Sequence, residues 1–198
     1  MGDTVIIKYN AGNIFSVECA LQRIGANAII TDDKQAISHA RRVIFPGVGE
    51  ASSAMDYLRS HQLDSLIKSL QCPVLGICIG MQLLCSHSQE GDTDCLGIFD
   101  VPVLRFDNSA SPDLKIPQMG WNTIDLQPGS FIPQQCDKQY TYFVHSYYAP
   151  LCQHTSAVTN YILPYSAALQ KDNFMATQFH PEKSGSVGET ILKKFMEL

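Results

Sequence analysis

Up to Gly91 the chain alternates short apolar runs with segments of helical period, and this alternation constrains the fold more than any other feature. Val5 to Tyr9, Ala28 to Thr31, Val43-Ile44-Phe45 and Pro73 to Ile77 read as strands. Between the first two, Val17, Ala20, Leu21 and Ile24 recur at helical spacing, with Asn13 or Ser16 as the cap and Gly25 as the stop. After Pro46-Gly47-Val48-Gly49, one helix is expected with Met55, Leu58, Leu63, Leu66, Ile67 and Leu70 as its buried stripe. Another helix starts straight after Ile77. Strands separated by helices in this way predict a parallel sheet covered on both faces. In such a sheet chemistry gathers at the carboxyl ends of the strands, so the loops after residues 45 and 77 are the places to search.

Beyond Gly91 the helical period fades until about Pro164. Asn122 to Leu126, Tyr140 to Tyr148 and Ala157 to Tyr161 read as antiparallel strands. Ala167 to Gln170 and Phe174 to Phe179 flank Lys171-Asp172-Asn173 as a hairpin. A last helix is expected from about Ser186, with Val187, Ile191, Leu192 and Phe195 on one face. With no repeat or linker in sight, the 198 residues suit one α/β domain spanning 1–198.

Composition narrows the partners. The net charge of -5 argues against nucleic acid or an anionic membrane. Charged residues make up only 17%, so part of the surface is neutral or covered by another protein. The start Met1-Gly2-Asp3-Thr4-Val5 lacks the pattern of a signal peptide, and no apolar run reaches the roughly 18 residues of a membrane span. A cytoplasmic protein is expected. Seven cysteines with no Cys-x-x-Cys make a disulfide framework or a zinc site unexpected there. No metal or cofactor is expected, and most of the cysteines should simply be buried hydrophobes.

Cys78 is the exception, by its surroundings. In Gly76-Ile77-Cys78-Ile79-Gly80 a strand runs into the cysteine and a helix leaves from it, the layout of a nucleophile elbow. The flanking glycines give the turn room, the helix amino terminus favours the thiolate, and the Ile79 N–H is aimed to bind an oxyanion. In Gln178-Phe179-His180-Pro181-Glu182, an extended backbone would set His180 and Glu182 side by side. Glu182 would then orient the imidazole, and His180 would move the thiol proton. Gly47, Val48 and Gly49 offer backbone N–H groups for a second oxyanion donor. Each motif alone has a plain structural alternative: a buried cysteine, a surface ion pair, an ordinary turn. Together they supply nucleophile, base, orienting acid and oxyanion donors.

On these motifs the chain resembles the class I (triad-type) glutamine amidotransferases over nearly its whole length. It is most similar to the branch that forms the glutaminase subunit of imidazole glycerol phosphate synthase, in histidine biosynthesis. Tyr9-Asn10-Ala11-Gly12-Asn13, Pro117-Gln118-Met119-Gly120-Trp121-Asn122, Val144-His145-Ser146-Tyr147 and His180-Pro181-Glu182-Lys183-Ser184-Gly185 carry the narrower likeness. One departure is Glu50-Ala51, where a Phe usually follows the glycines.

The resemblance implies a flavodoxin-like α/β fold: a mostly parallel central sheet, flanking helices and an antiparallel β extension. It implies that glutamine is hydrolysed to glutamate and ammonia through a glutamyl thioester. Gln82 would contact the amino-acid end of the substrate, Ser146 and Tyr147 would present backbone groups to its carboxylate, and Gly49 would lie along it. The peptide around Val48 would reorient to complete the oxyanion hole. The resemblance further implies a (βα)8-barrel cyclase as heterodimer partner, facing Asn10, Asn13, Met119, Trp121 and Asn122. On the residues alone, Trp121 reads equally as core, and Asn10 and Asn13 as turn and cap. Three other readings stay open: a paralogous glutaminase serving amidination of a surface sugar, a thiol hydrolase acting alone, and a degenerate domain that only regulates a partner.

Overall fold

The computed structural model describes residues 4–9, 14–47 and 49–198. Asn10, Asn13 and Val48, named above, lie outside them. The first half runs β1 (Thr4–Ile7), α1 (Ile14–Arg23), β2 (Ile29–Thr31), α2 (Lys34–Ser38), β3 (Arg42–Phe45), α3 (Ala51–Ser60), α4 (Leu63–Ser69), β4 (Val74–Ile77) and α5 (Ile79–Leu84). The second half runs β5 (His87–Ser88), β6 (Thr93–Asp94), β7 (Pro102–Arg105), β8 (Gln118–Thr123), β9 (Asp125–Leu126), β10 (Tyr140–His145) and β11 (Tyr147–Tyr148). It continues with β12 (Thr155–Asn160), β13 (Pro164–Lys171), β14 (Phe174–Thr177) and α6 (Gly185–Met196).

The central sheet has the order β2-β1-β3-β4-β14-β13-β12-β9. Its first five strands are parallel, and from β14 outward the pairing is antiparallel. Two smaller sheets, β10-β8 and β11-β7-β5-β6, complete the architecture. The α/β fold with a mostly parallel sheet is therefore present, as is the antiparallel extension.

Strands β1, β3 and β4 are apolar at nearly every position because both their faces are covered. Val5, Ile7, Val43, Phe45 and Val74 join one core with α2–α5, while Ile6, Ile44, Leu75 and Ile77 join the opposite core with α1 and α6. Fully burying each such side chain contributes about 1.5–3 kcal/mol. Among the described residues no helix is long and apolar enough to cross a membrane.

Three expectations need correction: a single helix from Met55 to Leu70, a buried Leu66 and a cap at Ser16. The stripe from Met55 to Leu70 belongs to two helices, broken at His61-Gln62, where Gln62 takes φ +56°. Leu58 to Leu63 is a five-residue step that a single helix cannot keep on one face, and the break restores the phase so that both are buried. Leu66 is only half-buried. Ser16 lies inside α1 rather than capping it. The short helix α2 has no apolar period of its own; the Asp33 carboxylate caps it by accepting from the Ala36 N–H at 2.7 Å.

Candidate active site

Four neighbouring parallel strands deliver the site from their carboxyl ends. Tyr9 follows β1, Gly47 and Gly49 follow β3, Cys78 follows β4, and Gln178 and His180 follow β14. The sites read from the sequence thus share one edge of the sheet, where the ends of parallel strands leave a crevice.

Cys78 takes φ +54°, a region L side chains avoid, and hands the chain from β4 into α5. The glycines around it are there for contact. A β-carbon on Gly80 would run into the Phe45 carbonyl, and one on Gly76 would meet Leu84 and the Gly80 carbonyl. Strand and helix therefore touch backbone to backbone beneath the sulfur. Gly47 has the same constraint, since a β-carbon there would collide with Ile79 and the Tyr9 hydroxyl. That hydroxyl donates a short hydrogen bond to the Pro46 carbonyl and so pins the turn. Burial, with the charge of Cys78 nearby, holds the Tyr9 phenol above its usual range, which keeps it a neutral donor. Ile79 is the first residue of α5, so its N–H has no acceptor within the helix.

His180 and Glu182 meet, but not as two residues of a strand. His180 is extended, and Pro181–Lys183 turn at once into a 3-10 helix. The turn still brings His180 Nδ1 to 2.7 Å from Glu182 Oε1, both side chains fully buried. His180 N–H donates to the Tyr142 carbonyl (2.9 Å), and the Ser184 hydroxyl donates to the His180 carbonyl (2.6 Å), fixing the turn against β10. Nε2 has no conventional hydrogen-bond partner among the described residues. Burial works against a charged imidazole, yet the Cys78 sulfur and the Glu182 carboxylate together outweigh it and raise the His180 pKa to about 10.

A cleft of about 290 Å³ opens over the sulfur. Gly49, Ile79, Gln82, Ser146 and Tyr147 line it with Cys78, so these expected substrate contacts share one cavity. Both protons of Gln82 Nε2 are committed inward, to the Tyr147 carbonyl at 3.0 Å and to Gln178 Oε1 at 2.9 Å. What Gln82 offers the cleft is its oxygen, an acceptor.

Two further polar groups reach the sulfur or its cleft. The half-buried Glu90 carboxylate lines the cleft while accepting from the Ala51 N–H at 2.9 Å. Burial pushes its pKa up. Nothing in the local sequence around Glu90 signals this, because its loop reaches the cleft only through the tertiary fold. Gln178, fully buried, places Nε2 3.8 Å from Cys78 Sγ. A lone amide inside the apolar run from Phe174 to Phe179 was the available clue.

Beside the cleft lies the β8–β10 ribbon. Its register puts Met119, Trp121, Tyr140, Tyr142 and Val144 on one face. Met119, Trp121 and Tyr140 are 66%, 56% and 61% exposed, so Trp121 is not core. Asn122 points the other way and donates to the Asn160 carbonyl at 2.8 Å. Trp121 meets Tyr142 edge-on at 5.9 Å, and the Lys183 ammonium sits 5.9 Å over the Tyr142 ring.

The family model "Glutamine amidotransferase class-I" matches residues 7–198. The chain is 55% identical over 193 residues to imidazole glycerol phosphate synthase subunit HisH of Bacteroides thetaiotaomicron, covering 98% of each chain. It is 44% identical over 198 residues to the same subunit of Yersinia pseudotuberculosis, covering 99% of this chain and all of that one. Among solved structures, a glutamine amidotransferase superposes with TM-score 0.74 at 17% identity, covering 98% of this chain and 97% of the other. Another glutamine amidotransferase, from Thermotoga maritima, gives 0.62 at 16% identity, covering 98% of this chain and 82% of the other. At those identities the solved structures speak for the fold alone.

Proposed function

The chain belongs to the class-I glutamine amidotransferases, and from that premise we infer that it is the glutaminase subunit of an imidazole glycerol phosphate synthase in histidine biosynthesis. The names of its curated relatives favour that branch over sugar amidination. The observation that carries the chemistry is the His180–Glu182 contact of 2.7 Å beside a cysteine on a positive-φ elbow.

The Cys78 thiolate attacks the side-chain amide carbon of glutamine. The Ile79 N–H and a donor from residues 47–49 hold the oxyanion, each such donor contributing about 10²- to 10³-fold in rate. His180, charged through neutral pH, already holds the proton that the departing ammonia takes. A glutamyl thioester remains. His180, now neutral, takes a proton from water, whose oxygen attacks the thioester; the C–S bond breaks and glutamate leaves. Glu182 keeps the imidazole oriented throughout. The substrate's ammonium suits the Glu90 carboxylate and the Gln82 oxygen, and its carboxylate suits backbone groups at Ser146 and Tyr147, with Gly49 alongside.

Ammonia free in water at neutral pH is protonated and no longer nucleophilic, so direct delivery to an acceptor site is favoured. The partner is a (βα)8-barrel cyclase, met in the cytoplasm, seated on the exposed face bearing Met119 and Trp121. Contact there reaches the triad through Trp121, Tyr142 and the backbone bond from His180 to Tyr142. The test is glutamate release from glutamine with and without the cyclase and its nucleotide substrate. Stimulation by the partner, lost in Cys78→Ala, is expected; wild-type release by Cys78→Ala in the complex would sink the reading.

A further inference from the structure

We infer that Gln178 is a further catalytic group, its side-chain N–H holding the Cys78 sulfur as a thiolate and aiming it at the cleft. The inference rests on Cys78 being the nucleophile.

Hydrogen-bond logic fixes which end of the Gln178 amide faces the sulfur. A main-chain carbonyl only accepts, so the Gln82 atom 3.0 Å from the Tyr147 oxygen is the nitrogen. The same nitrogen lies 2.9 Å from the Gln178 side chain, so the atom it meets there is the oxygen. The other end of Gln178, 3.8 Å from Cys78 Sγ, therefore carries the protons. The Tyr147 carbonyl that sets this order is itself held by His145 Nδ1 at 2.7 Å. Burial pushes the His145 pKa down to about 4, so the ring is neutral and Nδ1–H is the donor. Its Nε2 lies 3.0 Å from the Tyr165 hydroxyl, whose single proton serves either that nitrogen or the Gln118 side-chain oxygen 2.7 Å away on β8. Gln118, His145, Tyr165, Gln82 and Gln178 are all buried. Buried polar groups are costly without hydrogen-bond partners, and a connected chain of them holds its members in place. This one ends on the reacting atom.

The surroundings of the sulfur suit two states. The Val144 carbonyl, 4.0 Å from Sγ, can accept from the thiol. Once the proton is gone, that carbonyl repels the charge and the Gln178 N–H stabilises it. Among the described residues, the titratable groups around Cys78 are His180, with Glu182 behind it, the neutral phenols of Tyr9 and Tyr165, and Glu90, which lines the same cleft. Of the groups facing the sulfur, His180 loses its charge when ammonia takes its proton. An amide does not titrate. In the second step, water's oxygen bonds to the carbonyl carbon, the C–S electron pair returns to sulfur and His180 receives the water proton. Gln178 then stabilises the departing thiolate while the imidazole is still becoming charged.

The test uses the complex with the cyclase. Alkylation of Cys78 by iodoacetamide is followed against pH by peptide mass spectrometry, alongside steady-state glutamate release. Gln178→Met keeps the length and removes the donor. Its alkylation midpoint is expected to rise by about one pH unit, and kcat to fall about tenfold to a hundredfold with KM within about threefold. Gln178→Glu keeps the acceptor for Gln82 and sets a carboxylate against the sulfur, so its midpoint should rise further; it carries the test if the Met variant does not fold. A folded variant with the wild-type midpoint overturns the inference, and so does one that changes only KM or melting temperature. Cys78→Ser separates the two ideas. If it releases glutamate at the wild-type rate, the nucleophile assignment fails; if it is inactive while folded Gln178 variants match wild type, only this inference fails.

Discussion

The two walls of the catalytic cleft are held by different forces. The elbow wall, made by β4, α5 and the turn after β3, is held by steric fit. Gly47, Gly76 and Gly80 each sit where a β-carbon would strike a neighbour, and Cys78 is kept at φ +54° between them. The opposite wall, at the end of ribbon strand β10 with the turn after β14 bonded to that strand, is held by charge and hydrogen bonds, from the buried His180–Glu182 pair to Ser184 on the His180 carbonyl. The contrast teaches that placing a nucleophile takes backbone geometry, whereas tuning its proton takes electrostatics. Errors on the two walls should therefore fail in different ways.

The largest effect tests the contrast at its centre. Cys78→Ala should lower glutamate release in the complex by at least about 10⁴-fold. Its melting temperature should hold, because the elbow is shaped by its glycines. A large loss of stability would break the comparison.

Next, Glu182→Gln should lower kcat roughly 10³- to 10⁴-fold while leaving the turn folded. It should also change the dependence of stability on pH. The folded-state pKa of His180 is raised from 6.5 to about 10, so its contribution is complete below the unfolded value and is lost as pH rises through about 10. The variant raises that pKa less and has less to lose. The gap in melting temperature between wild type and variant should therefore narrow between pH 7 and pH 10; thermal melts across that range showing a constant gap would count against the charge-held wall.

On the elbow wall, Gly80→Ala drives a β-carbon into the Phe45 carbonyl, which is backbone and cannot step aside. Denaturant unfolding should show a loss of about 1–3 kcal/mol, with no change in how stability varies from pH 7 to 10. The smallest effect on stability belongs to Trp121→Ala. At 56% exposed, its removal should leave unfolding within about 0.5 kcal/mol of wild type while weakening stimulation by the cyclase. Unchanged stimulation would remove the ribbon from the partner surface.

The same contrast explains what the sequence made legible. Steric demands leave compositional traces: the glycines around Cys78 and the doubly buried runs Val43 to Phe45 and Val74 to Ile77 mark the elbow and its strands. Hydrogen-bonded demands leave few. Gln178, His145, Tyr165 and Gln118 are far apart in the chain and become a network only through sheet pairing. Glu90 likewise reaches the cleft by a loop with no local signature. The spacing of His180 and Glu182 predicts strand neighbours, and the turn at Pro181 brings them together by another route. The break between Leu58 and Leu63 was written in the five-residue step, but an apolar stripe of that length outweighs one irregular interval. The short strands β5, β6 and β7 carry no period long enough to register.

The φ of Cys78 bears on how such a chain would decay. A β-carbon in that backbone region costs about 1 kcal/mol or more, which glycine avoids. A duplicated copy released from hydrolysing glutamine would find Cys78→Gly downhill in folding energy and open to drift. The cysteine is thus held against a standing conformational preference for glycine at this position.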